Sequence, residues 1–358
     1  MNRNQPFNDL PLLPPTVELE TTAILKKAIE ANRQLAELKG LVTSIPNQDI
    51  LVDGIVLQEA RLSSEIENIV TTNDELYKAV ADEKLSTNPQ AKEVLRYREA
   101  LWSGFRQLKD RPISTNLFIE LVKIIKGSDI GIRRIPGTKI ANSSGEVLYT
   151  SPEGESVIRY KLSNLEHFIH ADNGIDALIK LAIMHYQFEA IHPFVDGNGR
   201  TGRVINILFL AEKGLLDKPI LFLSHYILRT KQAYYEGLRR VTEDGAWSDW
   251  VLYMLEAIRT TAFETQERVT KILEAIEVAK KTVQTQAPKI YSRDLIDVIF
   301  RHPYCKARFL EEAGLAKRQT AALYLQTLED IDLLESVKVG TAKYYVNKTL
   351  TQILSLTD

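Results

Sequence analysis

A single cysteine, Cys305, stands among 358 residues. No intrachain disulfide can form, so packing and hydrogen bonding must hold the fold, and a reducing compartment fits. Long apolar runs are missing too. The longest, Val204–Ala211, falls far short of the roughly 20 residues that cross a bilayer. The opening MNRNQPFNDLPLLPP has no apolar stretch of the kind a secretory leader needs. Net charge is nearly absent, since 45 Lys and Arg against 47 Asp and Glu leave −2 at pH 7. Global attraction to nucleic acid or anionic lipid is thereby excluded, although local basic patches are not. There is no internal repeat and no low-complexity tract. The expectation is a soluble, cytoplasmic protein with no membrane partner. What is present, 44% hydrophobic and 26% charged residues, is an ordinary globular composition with length for two or three domains.

The apolar residues recur mostly at helical spacing, so the fold class reads as mainly α. Residues 1–20 are Pro-rich and read as an irregular docked arm. TTAILKKAIEANRQLAEL aligns Ile24, Ala28, Ala31, Leu35 and Leu38 on one stripe, with Thr21 or Thr22 as cap. A second helix follows in DGIVLQEARLSSEIENIV, and 90–126 continue helical. A Gly-, Ser- and Pro-rich break comes next. Within it TKIA and EVLYT flank Asn142-Ser143-Ser144-Gly145, the pattern of a β-hairpin over 138–150. Helices resume from about 160 to 285, and Gln286-Ala287-Pro288 marks a linker. Three short helical segments and two strands around Gly340 then describe a winged helix-turn-helix. The organisation expected is a helical region 1–95, a core 96–285 and a winged-helix domain 288–358.

One string resists a structural explanation: HPFVDGNGRTGR, residues 192–203. Gly197 to Gly202 satisfies the dinucleotide pattern G-x-G-x-x-G, but that fingerprint must follow a strand, and the residues leading in have helical periodicity. His185, Glu189 and His192 have zinc-ligand spacing on one helix face. Against zinc stands Pro193, because the residue before a proline is pushed out of helical geometry; a hydrogen-bonding role for His185 and Glu189 is preferred. Read forward, a helix ends at Ile191, Asp196-Gly197-Asn198-Gly199 is turn chemistry, and a new helix starts near Arg200. Glycines at a helix start leave backbone N–H groups bare, which suits phosphate. Asn198 adds an amide donor, and Arg200 and Arg203 lie on one face as guanidinium clamps. Asp196 is an oxygen ligand of the kind Mg²⁺ requires. His192 can act as a general base near neutral pH.

This stretch resembles the Fic (Fic/DOC) family motif HPFx[DE]GNGRxxR at every defined position. HYQFEAI and SHYILRTKQAYYEGLRRVTEDGAWSDWVLYML are also similar to the family, so the resemblance spans roughly residues 20–285. It implies a Fic-type helical core with a hairpin flap, and transfer of AMP from ATP to a hydroxyl of a target protein or of the chain itself. His192 would then deprotonate the hydroxyl, Asp196 would hold Mg²⁺, and Gly197, Asn198 and Gly199 would form the anion hole. Arg200 would take the β-phosphate and Arg203 the γ-phosphate, with Gly202 counted among the nucleotide-binding residues. The phosphorylating Doc branch carries Lys where this chain has Gly199. The hairpin near 138–150 would be the flap on which the target protein docks. Tyr234 and Tyr235 fall where relatives pack near adenine, and a core role for them stays open.

Ser63-Ser64-Glu65-Ile66-Glu67-Asn68 matches the family's inhibitory motif [ST]xxxE[GN]. The resemblance implies the class with an N-terminal inhibitory helix, in which Glu67 pairs with Arg203 and blocks the γ-phosphate. Ser63, four residues earlier, is expected to orient the acid from the same helix face. Removal of AMP, use of another nucleotide, and a winged-helix regulator with a vestigial core are the alternatives. Lys317, Arg318 and Gln319, with Lys338, Lys343 and Tyr344, are a candidate DNA contact. Glu311, Glu312, Glu329, Asp330, Asp332 and Glu335 in the same segment make DNA the weaker partner reading. A homodimer stays open.

Overall fold

The computed structural model describes residues 2–45, 47–82, 88–135, 138–141, 147–339 and 342–355. It is mainly α. The N-terminal arm has no regular structure but is docked: Asn164 Oδ1 accepts from Leu13 N–H, Lys161 Nζ donates to Leu10 O, and Gln187 donates to Pro11 O. Helix α1 (Thr22–Thr43) starts at the Thr21 cap, whose hydroxyl accepts from Ile24 N–H, and its whole expected stripe is buried. Helix α2 (Asp49–Ile66) follows, then α3 (Asn73–Ala81), which the Thr72–Glu75 capping box starts. Helix α4 (Pro89–Gln107) opens with an Asn88 cap and proline in its first turn, and α5 (Thr115–Lys126) with a Ser114 cap. The expected boundary at 95/96 falls inside α4; the chain leaves helix between α4 and α5.

Strands β1 (Lys139–Ala141) and β2 (Val147–Thr150) pair antiparallel, Lys139 opposite Thr150 and Ile140 opposite Tyr149. The expected turn Asn142–Gly145 lies outside the described residues. Helix α6 (Glu155–His170) leads to the centre of the molecule, α7 (Ala177–Ile191) and α8 (Asn198–Glu212). Both are buried on nearly every side, α7 with mostly apolar residues and α8 with Asn198, Arg200, Thr201, Arg203 and Asn206 buried as well. Around them lie α2, α4, α5, α9 (Leu223–Arg229), α10 (Lys231–Asp244) and α11 (Trp247–Gln286). Trp250 of α11 is fully buried and its indole N–H donates to Ala182 O of α7. No described helix is long and apolar enough to cross a membrane.

The C-terminal segment is α12 (Arg293–Arg301), β3 (Tyr304–Cys305), α13 (Ala307–Glu312), α14 (Arg318–Asp330), β4 (Glu335–Val339), β5 (Ala342–Val346) and α15 (Lys348–Leu354). The three strands form one antiparallel sheet in the order β3-β5-β4. Gly340, expected at the hairpin tip, lies outside the described residues. This module is seated on α2 and α3. Leu354 fills the space beside Gly54 of α2, Tyr304 OH donates to Asp74, and Lys306 pairs with Asp82.

Candidate functional site

The centre of the site is the turn between α7 and α8. α7 stops at Ile191, and His192 adopts φ 49°, ψ 60°, left-handed backbone rare outside glycine. The following proline forbids continuation of the helix, and Arg133 holds the turn in place. The Arg133 guanidinium, 2% exposed, donates from Nε to His192 O at 2.8 Å and from Nη2 to Ser151 Oγ and Pro152 O. Arg133 thus ties the catalytic candidate to the base of the β1–β2 flap. Sequence reading missed it, because a lone arginine in a Gly/Pro-rich break carries no periodic signal.

Burial, and then the Arg133 charge, push the His192 imidazole down to about 4. The ring is therefore neutral at physiological pH and free to take a proton. Its Nδ1 is buried, leaving Nε2 as the working nitrogen.

The turn closes on Asn198. Its Oδ1 accepts from Phe194 N–H and its Nδ2 donates to Phe194 O, both at 2.8 Å. The Asn198 amide thus clamps the loop with its oxygen and one of its two N–H donors. What it leaves for an anion is the start of α8, where the N–H groups of Asn198 and Gly199 have no intrahelical partner. Gly197 takes φ 85°. Gly199 is required by close approach, since a Cβ there would lie 2.3 Å from Glu67 Oε1. Gly202 faces away from the anion site, and a Cβ on it would lie 2.4 Å from Glu189 Oε1 and 3.1 Å from Phe188. Its lack of a side chain lets α7 and α8 approach closely here.

Both arginines of the motif meet carboxylates. Arg203, 1% exposed, donates from Nε to Ser63 Oγ at 2.7 Å and from Nη2 to Ser63 O and to Glu67 Oε1 at 2.9 and 2.8 Å. Glu67 is the C-cap of α2, directly after Ile66, and it and Ser63 point at the same guanidinium. The expected Ser63–Glu67 contact is replaced by one in which Ser63 holds the arginine, not the acid. Burial opposes ionisation of Glu67, but the charge and hydrogen bond of Arg203 outweigh it and its pKa falls. Lys231 Nζ donates to Ile66 O and fixes this helix end. Arg200, 2% exposed, donates from Nη1 to Glu93 Oε1 of α4 at 2.7 Å. Glu93 carries no local motif and was not foreseen.

Asp196 is the one acid of the turn. Its side chain is 63% exposed, Oδ1 accepts from Gly197 N–H, and Oδ2 meets Lys126 Nζ at 2.5 Å. Burial opposes its ionisation, but Lys126 outweighs that and keeps it a carboxylate. A hard, exposed oxygen donor beside a helix start suits Mg²⁺, which uses one or two carboxylates and takes its other ligands from phosphate and water. The zinc alternative fails: among the described residues no group of three His, Cys, Asp or Glu is placed to hold a metal. His185 Nε2 instead bonds Tyr234 OH at 2.8 Å.

Tyr234, 1% exposed, packs on Trp250 within the core, the role left open for it. Tyr235 is 39% exposed and lines a cavity of about 190 Å³ with Glu67, Tyr186, Glu189, His192 and Gly199, roofed by Ile140 and Leu148 of the flap. Burial raises Glu189 to about 8.

Three family models match in succession: Fic/DOC family N-terminal over residues 25–106, Fic/DOC family over 112–210, and the C-terminal domain of SoFic-like protein adenylyltransferases over 275–350. The chain belongs to the Fic/DOC family. Among its relatives, a probable protein adenylyltransferase of Aquifex aeolicus is 28% identical over 206 residues, 54% of this chain and 57% of that protein. A protein adenylyltransferase Fic of Drosophila mojavensis is 25% identical over 112 residues, 31% of this chain and 21% of that one. The chain thus matches little more than half of the first relative's length and about a fifth of the second's. A Fic family protein from Desulfovibrio desulfuricans shares the fold, with a TM-score of 0.60 at 18% identity over 93% of this chain and 98% of that one.

Proposed function

We propose that this Fic protein is an adenylyltransferase that moves AMP from ATP to a hydroxyl of a target protein, and that it rests in a self-inhibited state. The observation that carries the reading is the meeting of a neutral His192, an open helix start and two buried guanidiniums at one turn, with the Glu67 carboxylate on Arg203. In the reaction, the target oxygen attacks the α-phosphorus while His192 Nε2 takes its proton. The bond from the α-phosphorus to the bridging oxygen breaks and pyrophosphate leaves. The N–H groups at Asn198 and Gly199 face the charge that builds on the α-phosphoryl oxygens. Arg200 and Arg203 bind the β- and γ-phosphates, and Tyr235 and the cavity wall receive the base. Asp196 would hold Mg²⁺, which would offset phosphate charge. The target would approach along β1, whose outer edge carries Lys139–Ala141.

The brake follows from charge. An incoming γ-phosphate must displace Glu67 from Arg203 and would otherwise sit against a carboxylate. Glu67 also lines the cavity with His192, and this favours a second reading in which the ionised acid orients water for removal of AMP. We read residues 288–358 as a winged-helix module that faces protein: exposed Glu311 and Glu312 precede the Lys317–Arg318 start of α14, and exposed Asp330 ends that helix.

The test uses ATP labelled on the α-phosphate with Mg²⁺, the wild type, Glu67→Gly, and Glu67→Gly/His192→Ala. Label on protein in Glu67→Gly alone supports both transfer and brake. Folded protein with no label in any variant contradicts the transferase reading. A premodified target incubated with wild type then tests removal.

A further inference from the structure

The resting site contains a cation that the motif does not account for. Lys126 is the last residue of α5, where an ammonium is favoured by the helix dipole. Its Nζ lies 2.5 Å from Asp196 Oδ2 and 3.4 Å from Glu93 Oε1, and Glu93 Oε1 is also the atom that holds Arg200. The lysine stem runs beside the turn, and a Cβ on Gly197 would lie 3.4 Å from Lys126 Cγ and Cδ. The side chain is 23% exposed, against 63% for Asp196. Asp196 is therefore reached by one ammonium on one oxygen, from the side where α8 begins. Arg200 Nε is buried with no partner, so the neighbouring guanidinium still has a donor to offer.

We propose that Lys126 is a further binding residue of this site with two successive roles. In the absence of metal it occupies the Asp196 carboxylate and so competes with a divalent cation. Once a cation takes Asp196, Lys126 is released beside the α8 start and binds a phosphate oxygen of the nucleotide. Charge favours the exchange: an ammonium at hydrogen-bond distance from Asp196 Oδ2 repels a divalent ion from the same oxygen, so the two compete for it. A lysine is suited to the move, being a compact charge on a flexible stem. Glu93 remains as the fixed point that holds Arg200 in either state. This inference rests on the nucleotide reading for its second half only.

Two binding measurements separate the roles. In the first, Mn²⁺ binding to the nucleotide-free protein is read by water proton relaxation for wild type, Lys126→Met, Lys126→Arg and Asp196→Asn. Lys126→Met should bind Mn²⁺ about threefold more tightly, the scale of a half-exposed ion pair. Lys126→Arg should stay near wild type, and Asp196→Asn should lose the site. In the second, ATP binding at saturating Mg²⁺, which occupies Asp196 in both proteins, is read by calorimetry for Glu67→Gly and Glu67→Gly/Lys126→Met. Here the lysine variant should bind roughly threefold or more weakly, by the same ion-pair scale. A merely structural lysine would shift both affinities the same way or neither. Unchanged or weaker Mn²⁺ binding in Lys126→Met overturns the first role, and unchanged ATP binding at saturating Mg²⁺ overturns the second. If Glu67→Gly binds no ATP under any condition, the nucleotide reading is what fails, and the Mn²⁺ arm still decides the contact with Asp196.

Discussion

Arg203 and Arg200 lie one turn apart on α8, equally buried, and each faces a carboxylate from another helix. Their surroundings differ in kind. Arg203 spends Nε and Nη2 on three acceptors, Ser63 Oγ, Ser63 O and Glu67 Oε1, all from the end of α2. Arg200 gives one nitrogen to Glu93, and its Nε has no partner. A guanidinium has five N–H donors in a planar fork. One nitrogen on a carboxylate orients that fork and leaves it usable, whereas three acceptors on one edge, with an anion among them, occupy it. The same pair of residue types thus leaves donors open at Arg200 and fills one edge at Arg203.

The comparison can be broken from either side. His192→Ala in the Glu67→Gly background comes first, because loss of a general base costs about 10²–10⁴ in rate; α-labelled ATP should leave no measurable label. Glu67→Gly alone comes next, with labelling expected to rise roughly tenfold or more, since removing the carboxylate frees a buried guanidinium whose charge-assisted bonds are worth about 1.5–3 kcal/mol each. Ser63→Ala should do less, about threefold, because Ser63 O and Glu67 still hold Arg203. Glu93→Gln, measured in the Glu67→Gly background, should raise KM for ATP by about threefold with little change in kcat, the mark of an orienting contact that an amide partly replaces. If Ser63→Ala matches Glu67→Gly, or Glu93→Gln accelerates labelling as Glu67→Gly does, the two arginines are not in different states.

The pH profile sharpens the account at the base. Burial holds His192 at about 4, well under its ordinary value of 6.5. A depressed imidazole stays unprotonated, and so active, until the pH approaches that value. Because the Glu67 charge raises the ring, its removal lowers it further, so the acid limb of kcat/KM in Glu67→Gly should lie at or below about pH 4, and a limb centred at 6.5 would show that the ring is solvated.

Much of this was legible in the sequence wherever local pattern controls structure. The α1 stripe, the Thr21 cap, the stop at His192 before Pro193 and the helix start after the glycines all follow from period, capping and turn chemistry. The Glu67–Arg203 pairing came from family likeness alone. What could not be read is set by contacts between distant segments. Spacing put Ser63 near Glu67 but could not show that its hydroxyl is taken by Arg203, a residue 140 positions away. Nor does anything in the string show that Asn198 clamps Phe194. Tyr234 and Tyr235 are neighbours in sequence, yet one meets His185 and Trp250 and the other the cavity. Arg133, Glu93 and Lys126 lie 59, 107 and 70 residues from His192, Arg200 and Asp196, their respective partners in the turn. At such separations no periodicity marks them.

The most direct test of the central claim, that the end of α2 holds Arg203 away from nucleotide, is the affinity for MgATP of wild type against Glu67→Gly by titration calorimetry. The account predicts that Glu67→Gly binds at least about tenfold more tightly, a difference of roughly 1.4 kcal/mol. Equal affinities in two folded proteins would contradict it.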